Sequence, residues 1–330
     1  MTVRIATNDD AQQWDRFCEL LPQGHPFFWF DILRKTYRIL PVFFIAEDAM
    51  GNISGVCPSY VVRQWNGTRQ LISFKFGLSA TTPQIANDIL LAAHRYCVDQ
   101  GIENNSITSG TTCIPTPYRE VTKKTVMFPI EGSIDSVWQQ LRNKTRNMIR
   151  KGQGSGVVIE EGNHHLPAFY SIYSERMLEK GVSIHSLRFF QEVLQRCGSS
   201  CVQLLVARRN NTVIAGMLLL YSKAVGAYPY QACRAGFEQY APTQLLIWEA
   251  MQRCAARGIT TLDMGESREG SSVYQSKINF GGRPENVYYY STLSSEASPW
   301  ASLPMILFQR LPFGLRRHLG VWLKRQGKLL

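Results

Sequence analysis

The feature that most constrains how this chain folds is an internal repeat. Two stretches of its 330 residues present the same elements in the same order. In the first, PVFFIAE reads as a strand, DAMGN as a turn and ISGVCPSYVV as a returning strand. RQLISF follows as a third strand, and TPQIANDILLAAHRYCVDQG as a helix. In the second, CVQLLVAR, the Asn210–Asn211 turn and TVIAGMLLLY make the hairpin, AVGAYPYQ the third strand and APTQLLIWEAMQRCAARG the helix. Each helix has proline near its start and glycine past its end, where a missing amide and a left-handed residue are tolerated best. The spacing is nearly constant: Gly55 and Gly216 lie 161 residues apart, Pro83 and Pro242 159, Gly101 and Gly258 157. The expected architecture is therefore α/β (α+β), with two tandem lobes, each a mixed, largely antiparallel sheet flanked by helices.

Three helical segments lie between the copies: SIDSVWQQLRNKTRNMIRK, with Ser133 as N-cap, then LPAFYSIYSERMLEKG and SLRFFQEVLQRC. The last strands are ITTLDMG and ENVYYYSTL. The expected organisation is a first lobe over 1–130, a second over 131–295 and a tail over 296–330.

Charge divides along the same lines. The chain carries a formal +11, and 45% of it is hydrophobic, an ordinary content for a packed globular protein. Residues 142–151 hold five bases and no acid, and residues 301–330 hold six bases and no acid, so the remainder is balanced. Two local basic surfaces imply two anionic contacts. The start, MTVRIATNDD, lacks the apolar core of a signal peptide, and the apolar run from Val213 to Tyr221 is too short to span a bilayer. Eight scattered cysteines without a C-x-x-C are expected to be reduced and mostly buried. A cytoplasmic protein, peripheral at the inner face of a membrane if its tail binds lipid, is the expectation.

The motifs exclude several chemistries. There is no G-x-S-x-G, no Walker loop, no G-x-G-x-x-G and no histidine spacing suited to a metal. No metal and no cofactor are expected. GQGSG after Lys151 follows a helix and reads as its stop. RNKTRNMIRK places Arg142, Arg146 and Arg150 at i, i+4 and i+8, with Lys144 beside them; like charges at that spacing repel, and phosphate relieves the repulsion. The alternative is a solvated face, or pairing with distant carboxylates. In SSVYQSKINFGGRPENVYYY, Lys277 sits between Tyr274 and Phe280, either as a cation facing an oxyanion or phosphate or as a snorkelling surface lysine. QACRAGFEQYAPTQ, before the second repeat's helix, has one glycine and then Pro242, which removes a donor amide and disfavours pyrophosphate binding there. In the tail, Leu315, Leu319, Trp322, Leu323 and Leu330 recur at helical spacing opposite Arg316, Arg317, Lys324, Arg325 and Lys328. This face binds either anionic headgroups or the protein's own lobes.

At these residues the sequence resembles the FemAB-type aminoacyltransferases, a FemAB-like branch of the GNAT superfamily found in cell-wall and exopolysaccharide loci. The resemblance covers roughly residues 26–292. It rests on LRNKTRNMIRKGQGSGVVI, MLEKGVSIHSLRFF (which contains His185), APTQLLIWEAMQRCAARGITTLDMGES and VYQSKINFGG. It implies two GNAT-like lobes and transfer of an aminoacyl group from tRNA, or of another acyl group, onto an amine of a cell-envelope acceptor such as a peptidoglycan precursor. The donor enters as co-substrate. By position, Lys277 matches the motif lysine that stabilises the reacting carbonyl. Arg142, Lys144, Arg146, Arg150, Tyr274 and His185 fall in the segments that bind substrate. Ser276 stands where the family has phenylalanine, and no long coiled-coil insertion of the tRNA-using kind is present. Implied partners are tRNA, a phosphate-bearing acceptor and, through 304–330, an anionic membrane surface. The alternatives are an acyl-CoA-dependent N-acyltransferase acting on an amino sugar or polysaccharide precursor, and a non-catalytic GNAT-like scaffold binding polyanion or membrane.

Overall fold

The structure, a computed structural model, describes residues 1–64, 67–110, 113–292 and 303–324. Its contacts divide the chain into two compact units, Met1–Lys123 with Gly181–Ile184 and Asn286–Leu330, and Lys124–Lys180 with His185–Glu285.

The first unit opens with β1 (Thr2–Ile5), α1 (Ala11–Leu20) and α2 (Phe28–Ile32). β2 (Leu40–Glu47) and β3 (Ile53–Arg63) form the expected antiparallel hairpin, and β4 (Arg69–Ser73) pairs antiparallel with β3. The two-residue β5 (Ser79–Ala80) also pairs β3. α3 (Pro83–Asp99) begins where the Thr82 side chain accepts the Ile85 amide, with Pro83 at its first turn, and Gly101 follows it at φ +61°. It buries Ile89, Leu90, Ala93 and Cys97 against the sheet. β6 (Asn104–Thr108) then runs parallel to β4. The opposite face of the sheet packs on an aromatic cluster that includes Trp14, Phe27, Phe43 and Phe74.

The second unit repeats this order. β7 (Arg119–Pro129) leads in from the first unit. Then come α4 (Ile134–Gln140), α5 (Asn143–Gly154), β8 (Val158–Glu161), α6 (Leu166–Glu179) and α7 (Leu187–Cys201). β9 (Val202–Arg209), β10 (Thr212–Tyr221) and β11 (Val225–Cys233) form an antiparallel run. α8 (Pro242–Ala256) crosses over, β12 (Thr261–Glu266) lies parallel to β11, and β7 closes the other side of β12. α9 (Ser272–Asn279) follows, and β13 (Arg283–Ser291) returns the chain to the first unit beside β6. α10 (Leu303–Arg310) and α11 (Phe313–Lys324) end the described chain.

Three expectations are corrected. The segment SIDSVWQQLRNKTRNMIRK is two helices. The chain turns extended at Leu141, whose side chain enters the core, and Arg142 becomes the cap residue of α5 rather than part of its face. Gly55 and Gly216 occupy equivalent strands but opposite faces: a Cβ on Gly55 would meet Ile85 and Ile89 of α3, whereas one on Gly216 would meet Phe169 of α6. The glycine that admits the crossover helix in the second unit is Gly226, against Cys254 of α8. Finally, Cys197 and Cys201 are joined as a disulfide, because a non-helical Gly198 kinks the last turn of α7 and swings the two side chains together. The other six cysteines are free, and four of them are buried.

Candidate active site

The site follows from a defect in the second unit's sheet. β11 and β12 pair only from Val225↔Thr261 to Ala227↔Asp263. Immediately beyond that pair each strand carries an extra residue. Against β10, the register of β11 slips between Tyr230 and Ala227; against β7, that of β12 slips between Asp263 and Glu266. Two bulges on facing parallel strands bend both away from the common ladder. Gly265 adopts φ +86°, which a side-chain-bearing residue there would resist. The first unit lacks this arrangement. Past its last parallel pair, Ile72↔Ser106, the Thr108 amide donates to Ser73 Oγ (2.7 Å), the Leu78 amide donates to the Thr108 carbonyl (2.9 Å), and Leu78 bridges Ser109. Residues 74–78 stitch that position shut.

Around the second unit's apex the side chains form a connected set. Asp263, 4% exposed, accepts hydrogen bonds at Oδ1 from Thr125 Oγ1 and from the Gly265 amide, both at 2.8 Å. It thereby fixes the bulge. The carbonyls of Gly265 (2.9 Å) and Glu266 (3.4 Å) and the Ser267 hydroxyl (2.7 Å) accept from Lys277 Nζ. On the other arm, burial and then the nearby Asp263 charge push the Tyr228 hydroxyl well above the usual phenol range, so it stays protonated and can donate. Gln231 Nε2 and Arg234 Nε, further along the same arm, are buried without a hydrogen-bond partner among the described residues. Leaving such donors unsatisfied costs about 1–3 kcal/mol each, which a polar ligand would recover.

Lys277 lies on α9, a helix rather than a bare ledge. The Ser271 hydroxyl caps its start by accepting the Tyr274 amide (3.2 Å), and Tyr274 packs its ring on the unit's core. Gly281 and Gly282 then pass so close to Phe128, Val126 and the Gln140 carbonyl that no Cβ fits.

The basic helix α5 is bolted to this assembly at both ends. Near its start, Thr145 Oγ1 donates to the Asn279 carbonyl (2.8 Å) and Arg142 to Asn279 Oδ1 (3.0 Å), tying α5 to the end of α9. Near its end, Gly152 faces the first turn of α8, where a Cβ would fall 2.5 Å from Leu245 Cδ1. Arg146 donates to Gln139 and Asn143, and Arg150 donates to Asn147 and lies over the Trp138 ring. Every one of these hydrogen-bond acceptors is a neutral amide. None of Arg142, Lys144, Arg146, Arg150 and Lys151 pairs with a carboxylate among the described residues. Amides orient guanidiniums without neutralising them, so the charge stays available to an anion. The GQGSG stretch ends α5, with Gly156 at φ +72°.

His185 sits elsewhere. It is 1% exposed, stacked on Phe189 and edge-on to Tyr230, within the aromatic cluster of α6 and α7. The structure thus places Lys277 and Tyr274 on one helix, ties Arg142 to the end of that helix, holds Arg146 and Arg150 on partners in α4 and α5, and places His185 in the core. Sequence reasoning did not single out Asp263, Tyr228, Gln231 or Arg234. The LDMG stretch with its glycine held the only signal, and it read as an ordinary strand end. Among the described residues, no group of three or more His, Cys, Asp or Glu side chains is placed to hold a metal, and no helix is long and apolar enough to cross a membrane.

Known proteins resemble this chain in fold. Residues 139–276, which contain α5, the parted strands and α9 up to Ser276, match an acetyltransferase (GNAT) domain model. No curated protein matches the chain. The fold is that of the FemX crystal structure (13% identity, TM-score 0.67, covering 88% of this chain and 97% of that one). It is similar also to the C-terminal domain of a putative lysylphosphatidylglycerol synthetase from Agrobacterium fabrum (9%, 0.58, 90% and 95%). A third similar structure is a tandem GNAT protein from the clavulanic acid biosynthesis pathway (8%, 0.55, 90% and 100%). Residues 139–276 thus match a GNAT domain, and over most of its length the chain has the fold of FemX and of the synthetase domain.

Proposed function

We propose that this protein transfers an aminoacyl group from aminoacyl-tRNA onto an amine of a cell-envelope acceptor, with the chemistry at the parted strands of the second unit. The observation that carries the reading is the unneutralised basic helix α5, held by Thr145 and Arg142 against the helix that bears Lys277. A phosphate-bearing donor or acceptor bound along α5 places its reactive end near the β12 bulge. The attacking amine adds to the ester carbonyl, the oxygen becomes an oxyanion, and collapse expels the ribose hydroxyl, which takes up the proton that the amine gives up. Lys277 exchanges its bond to Ser267 for one to that oxygen, a donor role that matters most as charge develops. Asp263 positions Lys277 through the bulge carbonyls and is not itself in contact with the reacting atoms.

The donor loop favours an aminoacyl ester over acyl-CoA. Before α8, the amides of Phe237, Tyr240 and Ala241 already donate to the Arg234, Phe237 and Glu238 carbonyls, and Pro242 has none. Few amides remain to cradle a pyrophosphate at this helix start. The cell-envelope acceptor is carried by the FemAB-like resemblance of the sequence. The test is a mass shift on candidate amine acceptors incubated with charged tRNA or with acyl-CoA. A shift with charged tRNA alone supports the reading, a shift with acyl-CoA alone replaces it with N-acyl transfer, and a shift with neither supports the scaffold alternative.

A further inference from the structure

The two closing helices present a surface that the proposed chemistry does not use. They are held to the first unit by a narrow contact. The Ile184 amide donates to the Gly320 carbonyl (3.2 Å), Gly320 is buried, and Phe308 is 1% exposed. At Gly181, φ is +66° and a Cβ would fall 2.4 Å from Gln309 Cγ, so this residue lets α10 lie directly on the chain. The side of α11 that docks is therefore the Gly320 side.

The apolar stripe points away from that contact. Leu315, Leu319 and Trp322 recur at i, i+4 and i+7 and are 51%, 40% and 50% exposed. Leu307 and Phe313 are exposed as well. Of the expected stripe, Leu315, Leu319 and Trp322 do not fold onto the protein's own lobes, whereas Leu323 is half-buried; the helix docks by its Gly320 side. Leu330, Arg325 and Lys328 lie outside the described residues.

A row of exposed large apolar side chains needs a cover, and the charge around it says which. Residues 303–324 contain Arg310, Arg316, Arg317 and Lys324 and no acid. Two copies meeting through this face would bring like charges together, which opposes self-association. An anionic lipid surface satisfies both features at once: the leucines and tryptophan enter the boundary between headgroups and acyl chains, while the long basic side chains reach the phosphates. We infer that α10 and α11 dock the protein onto an anionic bilayer, lying in its surface without crossing it. This does not depend on the reaction proposed above.

The experiment is sedimentation of the full chain with vesicles of phosphatidylcholine alone or with a third phosphatidylglycerol. Binding to the anionic vesicles only, weakened by salt, is expected. Leu315→Ser, Leu319→Ser and Trp322→Ser together should reduce it at least tenfold with unchanged melting, because these side chains are exposed. Arg310→Gln with Arg317→Gln should reduce it by roughly fivefold per charge. Absence of binding at low salt overturns the inference. So does undiminished binding by the serine variant, and so does a serine variant that alters the oligomeric state while leaving vesicle binding intact.

Discussion

Replacing Arg142, Arg146 and Arg150 together by glutamine removes three positive charges while keeping side chains long enough to reach Asn279, Gln139, Asn143 and Asn147. Because those partners are amides, no carboxylate is left unpaired, and the variant should fold as the wild type does. If each arginine neutralises one phosphate, the slope of log K against log salt falls by roughly 0.7–0.9 per arginine, or roughly 2.1–2.7 for the set. Over a fourfold rise in salt, from about 50 to about 200 mM, wild-type affinity should then drop roughly twenty- to fortyfold more than that of the variant. Fluorescence anisotropy with labelled tRNA reads this directly, and a nucleotide diphosphate-sugar serves as the smaller phosphate probe. A slope unchanged for both probes would return α5 to the status of a solvated helix and remove the main support for a phosphate-bearing substrate.

Three further outcomes follow from the geometry. Asp263→Asn should lower turnover tenfold or more while substrate binding stays within a few-fold, since it loosens the bulge that aims Lys277; an equal fall in a variant that leaves the bulge intact, Ser267→Ala, would shift the role to the hydroxyl. Gly152→Ala should destabilise the protein by about 1–3 kcal/mol in chemical denaturation, although alanine is the better helix former, because its Cβ meets Leu245; a gain in stability would mean that α5 and α8 are not in that contact. His25, half-buried and bonded at Nε2 to the Lys75 carbonyl (2.7 Å), is held down to about 4 by desolvation of its ring, so the unfolded chain binds a proton there that the folded chain does not. Stability should therefore fall as pH drops from about 6.5 to 4, by roughly 3 kcal/mol from this group, and His25→Gln should flatten that window.

Much of the architecture was legible because it is periodic and punctuated. Pro83 and Pro242 do open the crossover helices, Gly101 and Gly258 do follow them in the left-handed region, and the hairpins pair across the turns that the sequence marks. Composition marked the basic helix and the tail, and the resemblance to the FemAB-type motif pointed to Lys277. What escaped is what depends on register. One extra residue in β11 and one in β12 make the site, and neither leaves a mark in hydrophobic pattern. Asp263 looks like a strand residue until its carboxylate is seen to accept the Gly265 amide across the bulge. The break at Leu141 was hidden for a similar reason. Ser133 and the residues after it have helical character throughout, and the turn comes from burying Leu141 and docking Thr145 on Asn279, contacts 134 or more residues away in part. His185, between Ile184 and Ser186 in sequence, is drawn into an aromatic cluster assembled from two helices and a strand.

The most direct test of acyl transfer at the second unit's parted strands is the single-turnover rate of Lys277→Ala, measured by intact mass of the acylated amine with the donor that supports turnover. Loss of one donor to a developing oxyanion typically costs 10²–10³ in rate, and the account predicts a fall on the order of that size in a protein whose melting and donor binding are preserved. A rate within about threefold of wild type would contradict it, and would leave Lys277 as a strut for the β12 bulge rather than a participant in the reaction.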